Sequence, residues 1–485
     1  MSDINFQINK NKISCLIFLV MGMIYVSPVI LADRYYVDDL NRAVLGYTWW
    51  ALNGRPLADV VMSALSFSSS ISDVSPLTQI LGVSSMMVVP YYLHKIAKLE
   101  SVFLSVLISL LIITCPLFLE TISYSFDSLT MMLSVAFMFL PFCIKLDEYK
   151  IRFIVSVVCV VCSLSLYQAS LSIFVALALV EFSRRDAYIK SFITLLIDAV
   201  AFLLANAAYK IFIADRFVKG SYSINKAKII DFKAEGSFEL LSKHIETFYN
   251  YTLMALGRTY ILLLITLLLV FVAYQSVIFL KSLKTSSYVV ALKSFIVLNS
   301  PIIIAAGIYL PLSILELPAF NARVLMSFGL IPFFICVSML IANIKYFREM
   351  LYVIVSVMVI YSFSLCFAYG NGMQKQGEYE SQVATMMTMD VNGSGVSKFH
   401  ILGTVKMSPV TAKIIKNHPY FASLILPYIS DKASWRTGIF LNNHFLFDKY
   451  APNNTGVKAC SSGASISRGA YEFEVRGDEG VFCFK

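Results

Sequence analysis

The sequence predicts an all-α polytopic membrane protein with about eleven transmembrane helices, followed by a small C-terminal α+β domain. Of the 485 residues, 58% are hydrophobic and 14% are charged, and the mean hydropathy is +0.74. Soluble domains carry about 25% charged residues, so this composition is typical of a chain that lies mostly in lipid. After residue 369 the chain becomes polar, with short mixed apolar runs between Gly, Asn, Ser and Pro clusters, which predicts the C-terminal domain.

Apolar runs give the number of spans, because a helix needs roughly 20 residues to cross the hydrocarbon core. The runs are 13–32, 76–94, 101–118, 128–144, 153–166, 171–182, 191–212, 259–280, 294–312, 324–342 and 351–369. We divide the long apolar stretch 153–182 at Tyr167–Ser170, since one span there would invert every later loop against the charge pattern. The first run lacks a small-x-small cleavage pattern and is interpreted as a retained anchor.

Positive charge predicts the orientation, because short cytoplasmic loops collect Lys and Arg. With the N-terminus in the cytoplasm, the short cytoplasmic segments carry Lys10, Lys12, Lys95, Lys98, Lys145, Lys150, Arg152, Arg184, Arg185, Lys190, Lys281, Lys284, Lys293, Lys345 and Arg348. The three shortest outer loops contain a single basic residue, Arg323. The C-terminus is therefore expected in the periplasm of a bacterial inner-membrane protein. The net charge of +9 follows from this topology, and no basic stripe typical of nucleic-acid binding is present.

Three sizeable segments are expected on the outer face: 33–75, 213–258 and 370–485. The predicted domains are a membrane domain, 1–369, and a C-terminal periplasmic domain. Cys460 and Cys483 stand apart from the other cysteines, in the C-terminal segment. In an oxidising compartment such a pair is expected to form a disulfide.

An acidic pair, Asp38 and Asp39, follows the first span. The residues after it, up to Arg55, have an amphipathic pattern with Trp and Tyr, which predicts a segment along the membrane interface. Two adjacent carboxylates resist ionising together, so one can keep a raised pKa and accept a proton near neutral pH. Alternatively, both can hold a divalent cation. Arg42 and Arg55 belong to the same segment and are candidates for substrate binding.

Two further outer loops bring polar groups to the same membrane face. One carries Glu120, Tyr124 and Asp127. Asp127 also precedes an apolar run, so a helix N-cap is the alternative for it. Tyr167 and Gln168 lie at the outer ends of two short spans, where irregular backbone can line a cavity below the surface.

Arg323 is a basic residue at the outer start of a span, against the charge rule. A bidentate contact with a phosphate would explain its position. A salt bridge with Glu316 is the alternative.

These stretches together resemble the serotype-converting O-antigen glucosyltransferases of the Gtr type II family, membrane enzymes of the GT-C structural class. The resemblance spans most of the chain and is carried by ADRYYVDDLNRAVLGY…W…GRPL at 32–57, LETISYSFDSLTM at 119–131, SLYQASLS at 165–172 and YGN…EYE at 369–380. It implies a GT-C-like fold and transfer of glucose from undecaprenyl-phosphate glucose to a sugar of the O-antigen repeat. It also implies two functional partners, a lipid-glucose flippase and the synthase that makes the lipid donor.

In GT-C enzymes the first outer loop bears the acidic catalytic site, so the resemblance implies catalytic roles for Asp38 and Asp39. The candidates for substrate and donor binding are Asp127, Glu120, Tyr124, Arg323, Arg42, Arg55, Tyr167 and Gln168. One carboxylate would deprotonate the acceptor hydroxyl, which attacks in a single inverting displacement. A tightly bound transition metal is not expected because the five histidines are scattered, but a loosely held Mg²⁺ or Mn²⁺ is an open alternative.

Two rival functions are weighed. O-antigen polymerases and ligases also act on undecaprenyl-linked sugars, but they are cationic and lack an acidic pair after the first span. A lipid-linked sugar flippase would bury ionisable residues near the midplane of several spans. In this chain the carboxylates crowd one face, which favours an enzyme.

Overall fold

The computed structural model describes residues 2–97, 101–144, 148–185, 187–284, 287–342, 344–446, 449–452, 460 and 466–484. Lys98 and Lys145, counted above as cytoplasmic, lie outside the described residues. The chain forms two compact units. Unit one consists of Met1–Val26, Thr48–Ser69 and Val74–Cys366, and unit two consists of Ser27–Tyr47, Ser70–Asp73 and Phe367–Lys485.

Unit one is helical. Its α-helices are Pro56–Ser66, Leu77–Ser85, Val88–Ala97, Val102–Ile113, Leu119–Ser123, Asp127–Cys143, Tyr149–Leu166, Leu171–Arg184, Tyr188–Tyr209, Asp215–Phe217, Ser221–Ala227, Ser237–Leu283, Tyr288–Ser313 and Leu330–Ile341. Short 3-10 turns occur at Ala51–Asn53, Pro116–Phe118, Gln168–Ser170 and Ala322–Gly329, and Lys210–Ala214 is a π-helical turn. Two longer helices, Ser2–Leu31 and Lys345–Ser394, contribute residues to both units.

Seven helices of the described residues are long and apolar enough to cross a membrane, and a bent pair, Val102–Ile113 with Pro116–Ser123, would add an eighth. The protein is therefore a helical membrane protein. The apolar runs 76–94, 128–144 and 171–182 fold as shorter helices, the longest of which has 17 residues. The total of about eleven spans stays a prediction.

The chain breaks where the sequence predicts it, within the long apolar stretch 153–182. One helix ends at Leu166, Tyr167 is extended at φ −161° and ψ 117°, and the next helix begins at Leu171. The hydroxyl groups of Ser163 and Ser170 hydrogen-bond across the break at 2.8 Å. The Ser170 hydroxyl also donates to the Tyr167 carbonyl at 2.8 Å and so satisfies a backbone group that the interrupted helix exposes inside the unit.

Two helices are much longer than the apolar runs that mark them. Ser237–Leu283 has 47 residues, with a kink at Gly257, and Lys345–Ser394 has 50. At 1.5 Å per residue the path along each is roughly 70 Å, more than twice the hydrocarbon thickness, and Gly257, at φ 69° and ψ 165°, divides the first into two helical parts. Most of segment 213–258, expected as an outer loop, is thus helical. The sequence pattern marks only the apolar part of such a helix, because the polar continuation lacks that signal.

Unit two contains helices and a four-stranded sheet, in agreement with the predicted α+β content of its C-terminal part. The strands are β1 (Lys398–Leu402), β2 (Ile466–Ser467), β3 (Glu472–Arg476) and β4 (Glu479–Cys483), in the order β1-β4-β3-β2. β1 and β4 are parallel, and the other neighbours are antiparallel. Gly477, at φ 64°, opens the two-residue turn between β3 and β4, a position that favours glycine.

The core of unit two packs one face of the sheet against helices. The helices of unit two besides the long ones are Asp39–Leu45, Pro409–Asn417 and Ser434–Asn442, with 3-10 turns at Pro419–Ser423 and Asp431–Ala433. Phe473 and Phe482 stack with ring centroids 4.3 Å apart, and Leu40 is part of the same hydrophobic core. Cys460 and Cys483 are joined by a disulfide, with Cα atoms 6.1 Å apart.

Candidate active site

A proline break positions the first polar groups of unit one. Pro116 follows helix Val102–Ile113, and the chain turns by 54° before continuing to Ser123. Proline lacks the N–H that a helix needs and disfavours helical geometry in the residue before it, which explains the bend. The bend directs Glu120 and Tyr124, both buried, into a cluster with Arg323.

Arg323 lies in the 3-10 turn Ala322–Gly329, directly before helix Leu330–Ile341. Its backbone N–H donates to Glu120 Oε2 at 2.8 Å, and its Nε is 3.6 Å from Oε1. The guanidinium also donates to the Tyr124 hydroxyl and lies 4.8 Å from the centre of that ring. The alternative of an Arg323–Glu316 salt bridge is wrong, since Glu316 pairs with Lys228 at 2.7 Å.

Asp127 contacts residues of the first outer segment. Trp50 Nε1 donates to its Oδ1 at 2.7 Å, and Arg55 Nη1 is 3.8 Å from the same oxygen. Asp127 occupies the first turn of helix Asp127–Cys143, and the capping position is Phe126, which makes no side-chain cap. The N-cap alternative for Asp127 is therefore wrong.

Arg55, Tyr167 and Gln168 form the other half of the cluster. Arg55 Nε donates to Gln168 Oε1 at 3.0 Å, and its guanidinium lies 4.4 Å from the centre of the Tyr167 ring. Gln168 Nε2 donates to the Asn53 carbonyl at 2.9 Å and to the Tyr209 hydroxyl at 2.8 Å. The break after Leu166 thus supplies two side chains that fix the position of Arg55.

We call the seven residues of the two halves the unit-one cluster: Glu120, Tyr124, Arg323, Asp127, Arg55, Tyr167 and Gln168. Charged side chains of both halves affect the pKa of the Tyr167 hydroxyl. Burial raises the pKa of the Tyr167 hydroxyl, the positive charges of Arg323 and Arg55 lower it, and the negative charges of Glu120 and Asp127 raise it. The side chains of Glu120 and Asp127 are only 4% and 5% exposed, whereas those of Arg323 and Arg55 are 25% and 20% exposed. A ligand approaching this cluster therefore meets mainly cationic groups.

Asp38 and Asp39 belong to unit two. Asp38 precedes helix Asp39–Leu45 and forms an ion pair with Arg42, one turn on, at 2.9 Å. The Asp38 side chain is 32% exposed, whereas Asp39 is fully buried, at 0%. The adjacent carboxylates therefore have different environments, and Asp38 is the one that a substrate can reach.

A buried network around Arg34 was not predicted from the sequence. Arg34 Nη2 lies 2.7 Å from Glu380 Oε2 and donates to the Leu426 carbonyl at 2.7 Å, and the guanidinium is 4.1 Å from the centre of the Tyr428 ring. Burial raises the pKa of Tyr428 to about 12; Arg34 lowers it, and the negative charges of Glu380 and Asp39 raise it. No local pattern links Arg34 with Glu380, which lies 346 residues later.

Trp50 and Tyr209 are also missing from the sequence prediction. The Trp50 ring N–H donates to Asp127, and the Tyr209 hydroxyl accepts from Gln168. Contacts between residues so far apart in the chain leave no spacing signal in the sequence. In the part of the chain that the structure describes, no three His, Cys, Asp or Glu side chains are grouped as a metal site would require.

Comparison with known proteins identifies the family. The sequence model described as glucosyl transferase GtrII matches residues 27–334, more than half of the chain, and this range includes Asp38 and every residue of the unit-one cluster. An uncharacterized 55.3 kDa protein in the gtrB 5′ region of Salmonella phage P22 is 28% identical over 503 residues, which cover 98% of this chain and 99% of the relative. No solved structure matches the chain. The chain is therefore a glycosyltransferase and belongs to the GtrII family of glucosyl transferases.

Proposed function

We propose that the protein transfers glucose from undecaprenyl-phosphate glucose to a sugar of the O-antigen repeat, at the periplasmic face of the bacterial inner membrane. This modification of lipopolysaccharide would change the serotype. The observation that carries the proposal is the unit-one cluster of a GtrII-family membrane protein, in which two arginines stay accessible while their carboxylate partners are buried.

The cluster has the chemistry that a lipid-linked sugar phosphate requires. Arg55 and Arg323 each lie over a tyrosine ring, which fixes the plane of the guanidinium. A fixed planar guanidinium matches two phosphate oxygens, and this geometry distinguishes Arg from Lys. When the bond from the anomeric carbon to the phosphate oxygen breaks, negative charge grows on the phosphate, and the two arginines stabilise that charge.

The acceptor needs a base, and we assign that role to Asp38. Its carboxylate takes the proton of the acceptor hydroxyl while the hydroxyl oxygen attacks the anomeric carbon from the side opposite the phosphate. One C–O bond forms as the other breaks, so undecaprenyl phosphate leaves and the configuration inverts. The resemblance implies a β-linked donor, hence an α-glucoside product. Arg42 holds the Asp38 carboxylate, and Asp39 is buried in the first turn of the helix that follows, where a negative charge is favourable.

The orientation and the partners follow from the same proposal. The proposal puts the N-terminus in the cytoplasm and the C-terminal domain, 370–485, in the periplasm, and the Lys and Arg residues of the short cytoplasmic loops support this orientation. The remaining shorter apolar helices complete about eleven spans in a multi-pass, GT-C-like membrane domain. A cytoplasmic synthase would make the lipid-linked glucose, and a flippase would deliver it to the outer leaflet.

The test is transfer by the purified full-length protein in proteoliposomes, supplied with undecaprenyl-phosphate carrying radiolabelled glucose and with lipopolysaccharides of several enteric serotypes. Glucose should appear on one of these O-antigens, and NMR of the product should show an α-glucosidic branch. A change in O-antigen chain length without added glucose would instead indicate the polymerase or ligase alternative. Failure to label any acceptor would contradict the proposal.

A further inference from the structure

Unit two contains a cavity of about 610 Å³, a size typical of small-molecule sites. It is bounded on one side by residues 31–35 and Leu40, which surround the acidic pair in sequence. On other sides it is bounded by helix Lys345–Ser394 and by Asn443 and His444, which follow helix Ser434–Asn442. None of the residues assigned above to donor binding or catalysis lines it.

The polar lining suits a ligand rich in hydroxyl groups. Gln374 and Asn443 provide amides, and Ser381 provides a hydroxyl. Amides and hydroxyls both donate and accept hydrogen bonds, as sugar hydroxyls do. A site that combines such groups on facing walls can hold a hydroxyl-rich ring in one orientation.

Among the described residues that line the cavity, no cation is accessible. Arg34 is buried in its ion pair with Glu380, and Glu378 pairs with Lys375, each at 2.7 Å, while a third charged residue, Asp33, is an exposed carboxylate. The cavity therefore offers a phosphate no positive charge, in contrast to the accessible arginines of unit one. This difference favours an uncharged ligand over a phosphate.

Aromatic side chains supply the apolar wall. Tyr428 and Phe440 line the cavity with their ring centroids 4.7 Å apart, and Tyr35 lies beside them. Tyr428 and Phe440 are only 5% and 6% exposed, so the aromatic surface that a ligand can reach is mainly that of half-buried Tyr35. A pyranose has the matching character, because its C–H groups form apolar patches while its hydroxyl groups point outward.

The cavity is also continuous with the segment that carries the proposed base. Leu40 lines it and belongs to helix Asp39–Leu45, whose first turn follows Asp38. This helix packs against Ser434–Asn442, the helix that leads into Asn443 and His444. A sugar in the cavity would lie beside the turn that positions Asp38.

We propose that this cavity binds the acceptor, an uncharged sugar of the O-antigen chain, and so determines which sugar is glucosylated. The inference rests on the proposed function, since it names the site of one of the two substrates. It separates the substrates by chemistry: the cationic cluster of unit one takes the lipid phosphate, and the cavity of unit two, which has no accessible cation in its described lining, takes the polysaccharide.

The kinetic test uses Asn443→Ala and Gln374→Ala in the full-length protein, with Lys413→Ala, exposed on helix Pro409–Asn417 of the same unit, as the matched control. Each cavity variant should raise KM for the acceptor about tenfold, the effect of losing one or two hydrogen bonds. KM for undecaprenyl-phosphate glucose, and kcat at saturating acceptor, should stay within about twofold of wild type. A rise in the donor KM instead would overturn the assignment, because the cavity would then hold the donor.

A binding test separates this inference from the proposed function. Delipidated O-antigen polysaccharides from a panel of enteric bacteria are titrated into the detergent-solubilised protein without donor and followed by saturation-transfer NMR. The wild type and Lys413→Ala should bind one of them, and the cavity variants should bind it about tenfold more weakly. Unchanged binding by the variants, or no binding by wild type, would overturn the inference even if glucose transfer is observed.

Binding by wild type without any transfer from the lipid donor would instead contradict the proposed function and leave the cavity assignment standing.

A folding control accompanies both tests: the unfolding midpoint of each variant is compared with that of wild type. Ser381→Ala, which removes only the hydroxyl group of a lining residue and should weaken acceptor binding in the same way, replaces any variant that fails to fold.

Discussion

Arg323 holds Glu120 with both its backbone and its side chain: the backbone N–H donates to one carboxylate oxygen at 2.8 Å, and Nε lies 3.6 Å from the other. The carboxylate is buried by this arrangement, while part of the guanidinium stays accessible. A buried carboxylate without its cation is costly, so Glu120 and Arg323 stabilise each other's position. The consequence is a cation whose orientation is fixed before any ligand arrives.

Arg323→Lys should therefore impair the use of the lipid donor although it keeps the charge. Lysine lacks the planar fork and cannot stack on Tyr124 in the same way, so we expect kcat/KM for the donor to fall roughly 10²-fold. The transfer assay with varied donor concentration measures this. Lys228→Ala is the matched control, because it removes an exposed ion pair with Glu316 and should change little. A donor kcat/KM equal to that of wild type would contradict the role of Arg323.

Asp38→Asn should lower kcat by about 10²–10⁴-fold, the range for loss of a general base, with only a small fall in the unfolding midpoint because Asn still accepts a hydrogen bond from Arg42. Asp39→Asn should lower the unfolding midpoint as well, because the side chain is fully buried. Asp231→Asn, at an exposed position, serves as the control for both. Full transfer by both Asp38→Asn and Asp39→Asn would remove the acidic pair from the mechanism.

Trp50→Phe tests the contact between Trp50 and Asp127. The substitution keeps an aromatic ring but removes the N–H that donates to Asp127 at 2.7 Å. Hydrogen bonds to charged groups contribute about 1.5–3 kcal/mol, so the free energy of unfolding should fall by that amount. Trp435→Phe, on an exposed tryptophan, should have little effect. Equal unfolding free energies for the two variants would show that the Trp50 bond contributes nothing.

Asp198→Asn should destabilise the protein without altering substrate use. Arg152 holds Asp198 with two bonds, of 2.9 and 2.7 Å, and both side chains are buried. Removing one partner of a buried pair costs about 3–5 kcal/mol. Thermal or denaturant unfolding in detergent measures the loss, and Lys345→Ala, from an exposed ion pair, is the control. A raised donor KM would indicate that Asp198 belongs to the site instead.

The disulfide gives a direct test of the periplasmic location. In intact cells Cys460 and Cys483 should resist maleimide labelling until a reductant is added. Cys460→Ser with Cys483→Ser should lower the free energy of unfolding by about 3 kcal/mol, as expected for a crosslink between residues 23 apart. Free thiols at both positions in untreated cells would place unit two in a reducing compartment and contradict the orientation.

Several features of the site could be predicted from the sequence because they depend on local pattern. The break at Tyr167 follows from an apolar stretch too long for one span and interrupted by polar residues. Glu120, Tyr124, Asp127 and Arg323 stand out because polar groups at the ends of apolar runs lie near one membrane face. Seven of the eight predicted binding residues contact one another in unit one or share its electrostatic environment; the eighth, Arg42, lies in unit two.

By itself, the sequence determined the class of the protein and the positions of its polar candidates, because lipid imposes apolar runs of fixed length and leaves charges at their ends. Only the tertiary structure decided the partners. Arg323 pairs with Glu120 rather than Glu316, Asp127 with Trp50, and Arg34 with Glu380. The physical reason is that a buried ion pair or hydrogen bond depends on the distance and direction between two atoms, and the packing of helices far apart in sequence sets both.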